Sequence, residues 1–201
     1  KDYDFKVFDN LNEMYEAIYN KNKLNNKSRI VAGYCWDWVS KKDINEFDIN
    51  IPLENFRAQW NFSNTSTWAI DENSIDQVGC IHTSQGLEFD YIGVIIGDDL
   101  RYDGQKVITD FSKRARTDKS LSGLVTKCRN GDPEALKKAD RIIRNTYKTL
   151  LTRGMKGCYV YCTDKKLSNY IKSRIHKSQN IYDTLNHNLL LAAEEQDIDK
   201  Y

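Results

Sequence analysis

A chain of 201 residues, 40% hydrophobic and 11% aromatic, can build one domain with a sizeable core and is short for two. That composition excludes a disordered polymer, and 30 Lys and Arg against 29 Asp and Glu, net +1, leave no global charge that announces a polyanionic ligand. No apolar run approaches the roughly 18 residues of a membrane span, and Lys1 is followed by no apolar leader. The expectation is a piece of a longer, soluble, cytoplasmic protein with no membrane partner.

Strands and helices alternate along the chain, which predicts an α/β layered fold. Asp4–Phe8 reads as a short strand. Asp9 or Asn10 then caps a helix from about Leu11 to Leu24, with Leu11, Met14, Tyr15, Ile18 and Tyr19 on one face. Arg29 to Cys35 is a compact apolar run of the kind buried in a parallel sheet. From Trp36 to Trp68 the pattern is irregular, with a short strand at Asp48–Ile51 and the segment Phe56–Asn61. Val78–Ile81 is the next strand, followed by a polar loop, His82–Gly86, and a core strand, Tyr91–Gly97. An Asp103-Gly104 turn closes a hairpin, and Lys113–Arg129 reads as a basic, partly helical insertion.

Asp132-Pro133 starts a helix that reaches about Leu151, with Ala135, Leu136, Ala139, Ile142, Ile143, Tyr147 and Leu150 facing inward. Gly157–Cys162 is the last core strand, and Asp164 caps a helix to about Ile175. Residues 1–175 therefore form one domain with an insertion at about 101–130, and residues 176–201 form a tail, polar and then briefly apolar. Five cysteines, an odd number, suit reduced thiols better than disulfides. Cys158 and Cys162 stand roughly 13 Å apart along a strand, too far to share a zinc ion, so no metal site is expected.

Two segments carry chemistry. In Val78–Asp90, the side chains of His82, Thr83, Ser84, Gln85 and Glu88 crowd a loop at a strand end, and Gly86 lets backbone approach a ligand. An ordinary strand connection with a solvated Glu88 has the same pattern. In Asn145–Gly157, a helix ends in Thr152-Arg153-Gly154 just before a strand, with Gly154 as the expected helix stop. A guanidinium there can meet phosphate oxygens, although a lone Arg more often complements a helix C-terminus.

Together the two segments resemble motifs V and VI of superfamily 1 helicases. His82-Thr-Ser-Gln-Gly-Leu-Glu-Phe-Asp90 is similar to the His-x-x-(Gln/Lys)-Gly-Leu-Glu-Phe-Asp motif, and Leu151-Thr-Arg-Gly154 to Leu-Thr-Arg-(Gly/Ala). Ala32–Trp38, Val78–Ile81, Tyr91–Leu100 and Arg144–Tyr147 narrow the resemblance to the Schlafen group 3-like DNA/RNA helicase domains. The resemblance covers most of the chain. It implies the RecA-like (P-loop NTPase) fold of a second motor domain, with a mostly parallel sheet flanked by helices.

By the same resemblance, Gly86 and Glu88 would approach the nucleotide, the glutamate at the ribose. Gln85 would sit with them and couple the sites, and Arg153 would be the finger that reaches the γ-phosphate. His82 and Thr83 would touch the nucleic-acid backbone. No Gly-x-x-x-x-Gly-Lys-(Ser/Thr) occurs in the chain. ATP and Mg2+ are therefore expected only in the intact protein, shared with an N-terminal RecA-like domain, and this chain alone would hold no nucleotide tightly.

Trp36 and Trp38, at a strand end, are candidates for base stacking, against the commoner role of core packing. Lys113, Arg114 and Arg116, with Lys119, form a basic cluster that could track phosphates or simply be solvated. The expected partner is single-stranded or junction DNA, with RNA possible. Two alternatives stay open: a non-motor RecA-like module that binds nucleic acid or a partner, and an NTP-dependent sensor that does not unwind.

Overall fold

The computed structural model describes residues 3–61, 67–84, 86–178 and 180. Its strands are β1 (Asp4–Phe8), β2 (Ser28–Ala32), β3 (Ile49–Ile51), β4 (Phe56–Trp60), β5 (Gln77–Gly79), β6 (Phe89–Ile96), β7 (Leu100–Tyr102), β8 (Val107–Thr109) and β9 (Gly154–Cys162). Its α-helices are α1 (Leu11–Asn22), α2 (Ile81–Ser84), α3 (Val125–Arg129) and α4 (Pro133–Leu151), and residues 165–178 are also helical. One sheet of seven strands runs in the order β1-β9-β6-β2-β5-β4-β3, parallel throughout except where β3 meets β4. β7 and β8 form the expected hairpin, with Gly104 at φ +105°. This is the α/β, RecA-like arrangement anticipated from the alternation of elements.

Parallel strands at the centre are covered on both faces, so they read as unbroken apolar runs. β2 is buried along its length, as is β6 from Ile92 to Ile96. On one face α1 lays Leu11, Met14 and Ile18 against Ile30, Ala32, Ile95, Tyr159 and Tyr161. Each such aliphatic side chain contributes about 1.5–3 kcal/mol on burial. The helix begins where Asn10 accepts hydrogen bonds from the amides of Asn12 and Glu13. Opposite, α4 buries Ala139, Ile143, Tyr147 and Leu150. Gly33 is small because Tyr147 crosses it: a Cβ there would lie 1.9 Å from the phenol oxygen. Leu136, expected inside, is 39% exposed, and Thr146 is buried instead.

Several expectations shift. Phe56–Trp60 is a regular strand, because Phe56, Ala58 and Trp60 alternate into the core while Arg57 points out. His82–Ser84 is not a loop but part of the short helix α2. Gly154 is not a left-handed helix stop; Thr152 caps α4 and Gly154 already begins β9. There the pairing of β6 with β9 slips at a bulge, and a Cβ on Gly154 would lie 2.1 Å from the Gly157 carbonyl oxygen. Of the four tryptophans, Trp60 and Trp68 are core residues, 0% and 1% exposed. Contacts divide the chain into two compact units, residues 1–168 and 169–201. The expected boundary stood near 175. Of the second unit, residues 169–178 and 180 are described, and all are helical; the apolar stretch Leu189–Ala193 lies outside the described residues.

At the carboxyl ends of β2 and β6 a buried ionic cluster pins down the insertion. Arg114 donates from Nη1 to Asp99 at 3.0 Å and from Nε to Asp118 at 2.8 Å, and its side chain is 2% exposed. Tyr147 donates to the other oxygen of Asp99 and accepts from the Gly97 amide at 3.0 Å. Removing one member of such a cluster strands a buried charge, which costs about 3–5 kcal/mol. Arg114→Ala should therefore lower the unfolding free energy by about that much, read as a lower urea midpoint. Arg116→Ala, whose side chain is 93% exposed, should leave the midpoint unchanged; equal losses would show that the cluster adds nothing.

Candidate functional site

Two groups of side chains stand at opposite ends of the sheet, joined by one stretch of chain. β5 is level with the far part of β6, since Val31 of β2 pairs with both Gly79 and Val94. Gly79 and Phe89 therefore stand roughly 17 Å apart along the strand direction, and the chain between them joins the two levels. His82 and Thr83 lie at the start of this stretch, and Gly86 and Glu88 at its end.

At the lower end the two motif segments meet. The Phe89 amide donates to the Arg153 carbonyl at 2.9 Å. The Arg153 guanidinium donates from Nε to the Thr149 carbonyl at 3.1 Å and from Nη1 to the Leu87 carbonyl at 3.4 Å. Its remaining terminal nitrogen makes no hydrogen bond, and no carboxylate pairs with it among the described residues. A half-buried cation held only by carbonyl oxygens keeps its charge for an outside anion. Glu88 and Gly86 are both exposed beside it. Gly86 has φ +77°, and a Cβ there would meet nothing within 4 Å. Backbone conformation demands this glycine, and it leaves the surface open. Gln85 lies outside the described residues.

Asp90 braces this end. Its carboxylate accepts from Asn25 at 2.6 Å and from Lys156 at 2.7 Å, while its amide donates to the Lys27 carbonyl. The hydrogen bond from Lys156, then that from Asn25, holds the carboxyl below the usual aspartate range.

The upper end is a cleft of about 260 Å3 whose lining includes Tyr34, Trp38, Lys41, His82, Thr83 and Lys119. The Lys41 ammonium stands 3.7 Å from the centre of the Trp38 ring. The Thr83 hydroxyl is committed locally: it accepts from the Cys80 amide at 2.8 Å and donates to the Cys80 carbonyl, closing the first turn of α2. A neighbouring cleft of about 330 Å3 includes Trp36, Asp98, Lys113 and Thr163. Trp36 and Trp38 are thus split between two clefts, each half-buried against the core.

The basic cluster does not survive as a unit. Arg114, expected at a phosphate, is inside the protein between Asp99 and Asp118, and dehydration without those carboxylates would be prohibitive. Arg116 pairs with Asp37 at the surface, and Lys113 and Lys119 remain exposed in different clefts. The Asp99–Tyr147 contact was not anticipated. Both residues lie in the sequence stretches that carry the narrower family resemblance, which was the available signal.

Among the described residues no three His, Cys, Asp or Glu side chains gather as a metal would require, and the cysteines are free thiols. Nor is any described helix long and apolar enough to cross a membrane. A family model described as "Schlafen group 3, DNA/RNA helicase domain" matches residues 1–164. The uncharacterized protein YPL245W of Saccharomyces cerevisiae is 31% identical over 170 residues, covering 83% of this chain and 36% of that protein. The chain thus spans about a third of that relative's length. No solved structure matches the chain significantly.

The brace at Asp90 has a pH signature. A carboxyl whose folded pKa is depressed stabilises fully above its unfolded value of about 3.9, and the contribution fades as pH falls through the lower folded value. Asp90→Asn should lower the urea midpoint at pH 7, and its gap from the parent should narrow below about pH 4. A gap independent of pH would contradict this role.

Proposed function

The chain belongs to the Schlafen group 3 DNA/RNA helicase domain family, and from that premise we propose that it is the C-terminal motor domain of an ATP-dependent nucleic-acid helicase or translocase. One observation carries the reading: Arg153, without a carboxylate partner, is seated on the carbonyl of Leu87, one residue from Glu88. A cation, an open glycine turn and an acceptor on one edge suit the γ-phosphate and ribose of a nucleotide.

In this reading Arg153 stabilises charge on the transferring phosphoryl group, Glu88 accepts from the ribose hydroxyls, and Gly86 lets the chain lie close to the nucleotide. Gln85, two residues after Thr83 and one before Gly86 in the sequence, would couple the two ends. The residues suit the nucleotide, no acidic cluster for Mg2+ occurs among the described residues, and in this reading the phosphate cradle and the metal ligands belong to the protein's N-terminal RecA-like domain. Bound ATP supplies the free energy of hydrolysis, and this chain's share is to sense it and to complete the cleft. At the upper end His82, Trp38 and Lys119 meet single-stranded or junction DNA, or RNA, with Trp36 and Lys113 alongside. Bases would stack on the aromatic rings while phosphates meet the cations.

Such an arginine finger is worth about 10^3–10^5 in kcat. In the intact protein Arg153→Ala should lower ATP turnover by at least about 10^3-fold with the fold intact, and Arg153→Lys should not restore it, because a lysine lacks the fork that Thr149 and Leu87 orient. Undiminished turnover would refute the assignment. Turnover without strand separation would identify an NTP-dependent sensor.

A further inference from the structure

The positive charge expected in the insertion is found on a different surface. α4 buries one face, and along the other Lys137, Arg141, Arg144 and Lys148 recur at the four-, three- and four-residue steps that align side chains on a helix. The row is about 16 Å long. Arg144 is consumed by Asp140, through a bond of 2.9 Å to each carboxylate oxygen. Lys127, Arg129, Lys137, Lys138, Arg141 and Lys148 are exposed and make no ion pair among the described residues. Of the acids nearby, Asp140 is paired with Arg144, while Asp132, which caps the helix, and Glu134 keep their charge. The whole chain carries a net charge of only +1. Six cations without an ion pair, against the two carboxylates of Asp132 and Glu134, leave an excess of four positive charges around α3 and α4, which is a segregation of charge.

Lys127, Lys137, Lys138 and Arg141 also line a cleft of about 580 Å3 between α3 and α4, together with Asp132, Glu134 and the Arg144-paired Asp140. No large apolar anchor accompanies them beyond the partly exposed Leu136, which disfavours a membrane surface, where insertion of apolar side chains must supplement charge. A linear array of cations without apolar pockets matches a phosphodiester backbone, which presents closely spaced negative charge and asks for no pocket. The row runs along α4 toward the helix end that carries Arg153.

We propose that the exposed face of α3 and α4 is a second nucleic-acid surface, which docks the phosphate backbone of a duplex flanking the single strand. The inference rests on the reading of the intact protein as a nucleic-acid motor, and it concerns a surface apart from the clefts assigned to that motor above. Binding here is electrostatic and independent of sequence, and its role is to hold the junction while the strand passes the upper clefts.

The test uses the intact protein and a fluorescent duplex with a single-stranded tail, with affinity read by anisotropy across salt concentrations. The triple variant Lys137→Gln, Arg141→Gln, Lys148→Gln changes only exposed side chains, and an unchanged thermal melt checks its fold. It should lower the slope of log affinity against log salt by about two to three, near 0.9 for each lost phosphate contact on duplex. Affinity for a single strand lacking duplex should change little. A parent that binds the duplex with a slope the variant leaves unchanged overturns this surface and spares the motor assignment. A parent that binds no nucleic acid overturns both. A polyglutamate probe that outcompetes the duplex, and loses its own binding in the variant, would assign the face to an acidic protein and overturn the proposal.

Discussion

The fold's functional consequences hang on one join, where the Phe89 amide meets the Arg153 carbonyl and the Arg153 guanidinium meets the Leu87 carbonyl. Parallel pairing of β6 with β9 makes the join unavoidable. Once those strands are neighbours, the chain entering β6 from α2 and the chain entering β9 from α4 must arrive side by side. Two segments separated by more than sixty residues of sequence become one edge. The bulge at the start of β9, tolerated because Gly154 has no Cβ, sets the approach. Arg153 then has nowhere to spend its charge inside the domain.

A second constraint acts at the other end of the sheet. Gly33 leaves room for Tyr147, which accepts from the Gly97 amide and holds Asp99, which holds Arg114, and the insertion follows. Burial, and then the neighbouring Cys35 and Asp99, push the Tyr147 phenol well above its usual range, which keeps it a neutral donor at neutral pH. The Cys35 thiol is likewise pushed up, first by burial and then by Asp99. The ionic cluster thus fixes the insertion against the strand ends, and with it the cleft wall that carries Lys119.

Much of this was legible in the amino acids because it depends on local chemistry. β1 and the start of α4 are stated by the short run Asp-Phe-Lys-Val-Phe and by Asp132-Pro133, and the structure places both as read. α2 was missed because four residues are too few to show a helical period, and its cap, Thr83 on Cys80, looks like loop polarity. β4 showed its alternation but sat in a stretch with too many polar residues to stand out. Arg114 could not be placed by composition. Its partners lie 15 residues upstream and 4 downstream, and only tertiary packing decides whether a basic residue meets solvent or two buried carboxylates. Helical periodicity marked only the inward face of α4; that the cations on its other face lack partners is a fact of three dimensions.

Because residues 80–88 carry both ends of the candidate site, nucleotide and nucleic acid should be thermodynamically linked through them, and linkage is reciprocal. The direct measurement is the affinity of the intact protein for a non-hydrolysable ATP analogue with and without a single-stranded oligonucleotide, and the converse titration. The account predicts that each ligand changes the other's Kd by the same factor, about 5-fold or more, and that Arg153→Ala reduces that factor toward one. Two tight but independent binding events would contradict it.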